Sequence, residues 1–258
     1  MLEIKIAPGS PFEKEALTVK NSLSLQSESI ALNSHFVLHV EDEIYLSLDD
    51  SKISDKDFKI DVFNEKLLWR LNHSGKNSEA VCRAVMGKIS KPIVFDATAG
   101  LGRESLILQS AGATVYMFER NPVIWLLLVC AIRKAQNSEE ILSKLKNGLP
   151  ILCSYGSVKD NLANGTISEK PDVVYYDPMF PERSKSALVK KDMRVFHELV
   201  GFDTDTVEYA NYLLTVAAHH VVVKRPSGEA PLELNVRRSS FVDGKACRFD
   251  CYYCQQQP

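Results

Sequence analysis

Hydrophobic and polar positions divide this chain into two regions. Up to about residue 65 the apolar runs are short and alternate with polar residues. His35-Phe36-Val37-Leu38-His39-Val40 and Ile44-Tyr45-Leu46-Ser47-Leu48 have the period-two pattern of strands, with the acidic clusters Glu41-Asp42-Glu43 and Asp49-Asp50 as turns. They predict a small β-rich N-terminal unit over residues 1–65. Beyond it, compact apolar runs recur: Ile93–Phe95, Thr114–Phe118, Leu149–Cys153, Asp172–Tyr176, Val221–Pro226 and Arg248–Cys254. Helix-like segments lie between them, at Glu79 to about Gly87 with Ser78 as cap, Ser105–Gln109, a strongly apolar stretch from Pro122 behind the Asn121-Pro122 cap pair, and Glu139–Lys146. Strands alternating with helices predict an α/β, Rossmann-like domain over residues 66–258, with a roughly seven-stranded, mostly parallel sheet and helices on both faces.

The most informative stretch is Val94-Phe95-Asp96-Ala97-Thr98-Ala99-Gly100-Leu101-Gly102-Arg103-Glu104-Ser105. It reads as a strand ending at a carboxylate, a tight turn and a helix start. Gly100 and Gly102 permit positive φ and close approach of a ligand, and the helix start offers free N–H groups. A dinucleotide fingerprint requires a third glycine where Ser105 stands, and a phosphate-binding P-loop requires a Gly-Lys-Ser/Thr tripeptide that is absent. Asp96 instead suits a cationic group. The next strand ends at Glu119, placed to accept hydrogen bonds from a ribose diol. An adenosyl ligand without phosphates fits best. The third strand leads to Ser154-Tyr155-Gly156-Ser157, small enough to sit beside an adenine ring.

A second motif, Asp177-Pro178-Met179-Phe180-Pro181, follows the fourth strand. In a doubly wound sheet it lies on the same edge as Asp96 and Glu119. The lone pair of an exocyclic amine on a nucleobase is delocalised into the ring. Asp177 and the Pro178 carbonyl can accept the amino hydrogens and turn that lone pair toward an electrophilic methyl, while Phe180 stacks on the base.

Composition and charge narrow the partners. The 258 residues are 45% hydrophobic with a net charge of −2, so any contact with nucleic acid must come from a local patch. Arg183, Lys185, Lys190, Lys191 and Arg194 face one acid, Asp192, over twelve positions beside the second motif, and Lys224 and Arg225 end the fifth strand of the sheet. All seven cations are candidate RNA contacts. No secretory signal pattern begins the sequence, and the run Val123–Ile132 is shorter than the roughly 20 residues that span a bilayer. A cytoplasmic protein with six reduced cysteines is expected. His35 and His39 share a strand face without a third ligand, so no metal is expected.

The segments Asp96–Gly102, Glu119–Pro122, Asp177–Pro181, Lys185–Lys191 with Met193–Phe196, and Val221–Pro226 together resemble the RsmJ family of bacterial ribosomal RNA methyltransferases, from about residue 72 to the last strand. The resemblance implies a class I methyltransferase fold and methyl transfer from S-adenosylmethionine to N2 of a guanosine near the 3′ end of 16S rRNA, as naked RNA or in the small ribosomal subunit. It implies cofactor contacts at Arg103, Glu104, Glu119, Arg120, Gly156, Ser157 and Asp177, beside Asp96, Gly100 and Gly102 of the turn. A second serine is more typical of the family where Gly156 stands.

Three other classes have some support in the residues. Cys247, Cys251 and Cys254 have the spacing of radical enzymes that hold an iron–sulfur cluster, but strand alternation puts Cys254 on the face opposite Cys251. A NAD-dependent dehydrogenase would share the sheet but lacks its third glycine. A non-catalytic RNA-binding assembly factor on this scaffold, or a methyltransferase for another nucleic-acid or protein amine, would keep the same motifs.

Overall fold

The first elements along the chain are β1 (Leu2–Ile6), α1 (Glu13–Leu25), β2 (Phe36–Val40) and β3 (Ile44–Leu48). They are seen in a computed structural model that describes residues 2–25, 35–48, 57–73, 75–145, 147–179 and 199–254. β2 pairs in parallel with β1 and in antiparallel with β3 across the turn at 41–43. The alternation read from the sequence is realised, since Phe36, Leu38, Val40, Ile44 and Leu46 are buried. Phe12, just ahead of α1, and Ala16 and Val19 on it are also buried. His39 stacks on Tyr45 and shares a hydrogen bond with Ser47 across the strand pair.

The chain continues with α2 (Glu65–Asn72), α3 (Ala80–Met86), β4 (Ile93–Asp96), α4 (Arg103–Ser110), β5 (Thr114–Met117), α5 (Pro122–Gln136), α6 (Glu139–Leu142), β6 (Ile151–Leu152), α7 (Val158–Ala163), β7 (Val173–Tyr176), α8 (Thr206–Val216), β8 (His220–Pro226), β9 (Ser240–Asp243) and β10 (Cys247–Tyr253). By proximity along the fold the chain forms two compact units. One gathers residues 1–61 with 121–131 and 179–203, and the other holds 62–120, 132–178 and 204–258. α5 carries ten apolar residues in its first eleven positions, and Val123 to Leu128 are all buried. A helix apolar on every side is stable only when surrounded. Its cap is as read: the Asn121 side chain accepts from the Val123 and Ile124 N–H groups.

The large sheet has the order β6-β5-β4-β7-β8-β10-β9. β4 to β8 run parallel, and β10 is antiparallel to both neighbours. The chain moves outward from β4 through β5 to β6 and then returns to β7 on the other side of β4. The switch point is therefore between β4 and β7, where the ligand crevice of such a sheet opens at the strands' carboxyl ends. Helices cover both faces. The Cys251 thiol faces the Ala84 carbonyl of α3, and the Cys254 thiol faces the Leu214 carbonyl of α8, three positions and one face apart. None of the six cysteines is in a disulfide, and among the described residues no group of three His, Cys, Asp or Glu side chains is placed to hold a metal.

Several boundaries differ from the sequence reading. The helix expected over 139–146 ends at Leu142. Ser78 closes the Gly75–Ser78 turn through its hydroxyl instead of capping α3, whose N-cap is Glu79. α1, α2, α7, α8, β1 and β9 were not expected. β9 is an exposed edge strand, Ser-Phe-Val-Asp, with too little apolar burial to leave a pattern.

Candidate active site

The glycine turn folds as its sequence requires. Gly100 and Gly102 sit at φ +54° and +71°, and Gly102 is the N-cap of α4. Non-glycine residues there would cost about 1–2 kcal/mol each. Beneath the turn, Asp96 is 1% exposed. Its carboxylate accepts from the Ser105 hydroxyl and, at 3.2 Å, from the Thr98 N–H. Burial pushes the Asp96 pKa up to about 7, against the lowering pull of those two hydrogen bonds. The residue in place of a third glycine thus has its own function: Ser105, fully buried, satisfies the acid that anchors the turn.

Glu119 follows β5 and is buried, and one of its oxygens accepts from the Gly100 N–H at 2.9 Å. Its carbonyl accepts from the Gly156 N–H, so the third strand's turn is pinned to the second's. Gly156 has φ +131°, and a Cβ there would meet Asp160 at 3.1 Å. A second serine is disfavoured on both counts, by backbone strain and by crowding against Asp160. Ser157 caps α7 in a reciprocal capping box with Asp160. Arg120 lies beside Ser157 in a cavity of about 220 Å³ lined also by Asp160, Asp205, Tyr209 and Tyr212. Its guanidinium forks onto Asp205 at 2.9–3.1 Å and holds that carboxyl below its ordinary range.

Asp177 leaves β7 across the switch point from the glycine turn. Its N–H donates to the Thr98 hydroxyl at 2.7 Å, which ties the two motifs into one construction. Its carboxylate accepts from the Lys224 ammonium at 2.6 Å. Burial works to lower the Lys224 pKa, but Asp177 and Glu104 outweigh it and hold the ammonium above its ordinary value. Lys224 and Glu104 line a cleft of about 680 Å³ whose walls include Trp69, Arg70, Glu79, Cys247 and Phe249. Arg70 and Glu79 close one side as a bidentate pair.

Asp96, Gly100, Gly102, Arg103, Glu104, Glu119, Gly156 and Asp177 thus gather at the carboxyl ends of the parallel strands, with Arg120 and Ser157 at the smaller cavity. Arg225 is buried instead, its guanidinium spent on the Ala230 carbonyl and on Glu229. Pro178 follows Asp177 directly, while Phe180, Arg183, Lys185, Lys190, Lys191 and Arg194 lie outside the described residues. Thr98, Ser105 and Asp205 went unread in the sequence because single hydroxyls and acids carry no local signature. The Ser157-x-x-Asp160 spacing, by contrast, is a legible cap.

The Glu104 and Asp177 carboxylates add to the upward push on Asp96 beneath the turn. Such a site repels pyrophosphate and favours a cation, in keeping with a sulfonium ligand.

Comparisons with known proteins agree. The model of a family described as "Putative SAM-dependent methyltransferase" matches residues 19–254. The chain is 39% identical over 224 residues to a protein of Pseudoalteromonas translucida named ribosomal RNA small subunit methyltransferase J, covering 85% of this chain and 86% of that one. A protein of the same name from Shewanella sediminis is 37% identical over 245 residues, covering 95% and 86%. A crystal structure of a SAM-dependent methyltransferase from Neisseria gonorrhoeae superposes with a TM-score of 0.66 at 26% identity, over 100% of this chain and 97% of that one. The chain belongs to the SAM-dependent methyltransferases, in the family of ribosomal RNA small subunit methyltransferase J.

Proposed function

We propose that this protein transfers a methyl group from S-adenosylmethionine to the exocyclic N2 of a guanosine near the 3′ end of 16S rRNA. The observation that carries the reading is Asp177, fixed at the carboxyl end of β7 by Thr98 of the glycine turn. An amine acceptor and a cofactor turn meet there through one 2.7 Å bond. The relatives' shared name supplies the ribosomal substrate. The resemblance of the Asp177–Pro181 segment supplies the guanosine and its N2.

S-adenosylmethionine brings an electrophilic methyl on a positively charged sulfur. Glu119 accepts the ribose diol of that ligand, Arg103 and Glu104 border its amino-acid end, and Gly156, Ser157 and Arg120 border the adenine. Asp177 and the Pro178 carbonyl accept the amine hydrogens and aim the nitrogen lone pair at the methyl carbon, while Phe180 supports the base from one face. As the new C–N bond forms, the C–S bond breaks and its electron pair stays on sulfur. The surplus proton leaves the nitrogen. No strong base is required, because an N-alkylated aminium on a purine is acidic; orientation is the main contribution.

By sequence pattern the methyltransferase domain is assigned to residues 66–258 and the N-terminal domain to residues 1–65, while in the fold segments 121–131 and 179–203 group with residues 1–61. Arg183, Lys185, Lys190, Lys191 and Arg194, which follow the Asp177–Pro181 motif in sequence, are the cations assigned to RNA phosphates. The protein works in the cytoplasm, and no helix among the described residues is long and apolar enough to cross a membrane.

The test is methyl transfer from radiolabelled S-adenosylmethionine to small ribosomal subunits and to protein-free 16S rRNA, both from cells lacking this gene, followed by nucleoside analysis. Label as N2-methylguanosine is expected. Cofactor binding without label on either substrate refutes the RNA assignment and points to another amine.

A further inference from the structure

We propose that Asp177 and Lys224 together read the Watson–Crick edge of the target guanine, the carboxylate accepting from N1–H and N2–H and the ammonium donating to O6. This rests on the guanosine reading above and adds to it the device that selects guanine over other amino-bearing bases.

Sheet register creates the pair. β7 and β8 run parallel with Tyr175 opposite Val222 and Tyr176 opposite Val223. One step further, Asp177 comes opposite Lys224, and both side chains leave the same face. Their charged groups meet at 2.6 Å, with about 30% of each side chain still exposed (32% and 28%). The pair is thus within reach of a ligand, unlike the neighbouring Arg225, which is committed to Ala230 and Glu229.

Lys224 also lines the large cleft, whose volume of about 680 Å³ lies within the usual range for a small-molecule site. On the same face Phe249 is the register partner of Lys224 in β10, and it forms part of the cleft wall. A planar base entering there has an aromatic wall beside it and meets the Lys224 ammonium, which holds Asp177 next to it.

The chemistry of the pair matches guanine and not adenine. A carboxylate offers two acceptor oxygens, and an ammonium has three N–H donors, of which Asp177 takes one. Side by side they present acceptor, acceptor, donor. Guanine presents N2–H, N1–H and O6, which is donor, donor, acceptor. At the corresponding edge adenine offers an acceptor at N1 and a donor at N6, so both would oppose the pair. Because Asp177 and Glu104 keep the Lys224 ammonium charged, the donor is present at any working pH.

The test uses a short RNA carrying the 3′-end sequence of 16S rRNA, with the target guanosine either retained or replaced by 2,6-diaminopurine. The analogue keeps the N2 amine but turns N1–H into an acceptor and O6 into an amine. Native protein is expected to favour guanosine by ~100-fold or more in kcat/KM, since two polar contacts are reversed. Lys224→Gln, whose carbonyl can accept from the 6-amine, is expected to bring that ratio within about tenfold. Lys224→Arg keeps the donor and is expected to keep the preference. The ratio does not depend on the fraction of active protein, and where turnover is too slow the dissociation constants of the two RNAs report the same preference. Equal use of both RNAs by native protein, or an unchanged ratio in Lys224→Gln, overturns the proposal. Failure of the guanosine reading looks different: native protein then methylates neither RNA while still binding S-adenosylmethionine.

Discussion

Asp96 shows how one residue can be fixed by its surroundings into a state the sequence does not declare. A carboxylate with an ordinary pKa of 3.8 in the unfolded chain is moved to about 7 by burial, despite two hydrogen bonds to it. Folding therefore takes up a proton between about pH 4 and pH 7. The sign follows: as pH rises through this window the unfolded chain ionises first, and the folded state loses stability until Asp96 too has ionised, above about pH 7. The shift corresponds to a few kcal/mol, at about 1.4 kcal/mol per unit. Asp96→Asn keeps the shape and removes the charge. Its stability relative to the native chain is expected to rise between pH 4 and pH 8, read from thermal melts across that series. A constant difference would mean that Asp96 titrates normally.

Among elements, β10 depends most on a single polar group. Asp250 sits in mid-strand with no exposure at all, and its carboxylate is held by Arg248 at 2.6 and 2.9 Å and by Arg238 at 2.9 Å. Arg238 precedes β9 and Arg248 lies on β10, so the ion cluster secures the antiparallel edge of the sheet. Asp250→Ala leaves two half-buried guanidinium groups without their partner and is expected to cost about 3–5 kcal/mol, measured by denaturant unfolding. A loss below about 1 kcal/mol would place the cluster among surface ion pairs. β8, the other neighbour of β10, carries a related constraint. The Ala84 carbonyl can only accept, so His220 Nε2 donates to it and His220 Nδ1 accepts from His219. Burial lowers the His220 pKa to about 4, consistent with this neutral tautomer.

For the whole molecule, a net charge of −2 leaves no general attraction to RNA, so affinity has to come from local cations. Lys66, Arg83 and Lys245 rim the large cleft that Lys224 enters. If the RNA strand follows this rim, Lys245→Gln removes one phosphate contact. The slope of log affinity against log salt is then expected to shrink by about 0.7–0.9, with S-adenosylmethionine affinity unchanged. RNA titrations at several salt concentrations decide it, and an unaltered slope places the strand elsewhere.

The sequence by itself determined the class of fold and the two turns that matter, because those features are local. Apolar runs of strand length, two glycines one residue apart after a carboxylate, and Asp-Pro-Met-Phe after another run are all legible without a neighbour. From them came the adenosyl ligand and the amine acceptor, and the resemblance added the guanosine. The tertiary structure alone decided which side chains complete each other. Ser105 with Asp96, Thr98 with Asp177, Arg120 with Asp205 and Lys224 with Asp177 are separated by 9, 79, 85 and 47 positions. Arg225 and Lys224 are adjacent cations in the sequence, yet one is buried against Ala230 and Glu229 and the other meets Asp177. The physical reason is strand geometry: consecutive residues face opposite sides of a sheet, and only the pairing of β7 with β8 determines what each of them meets.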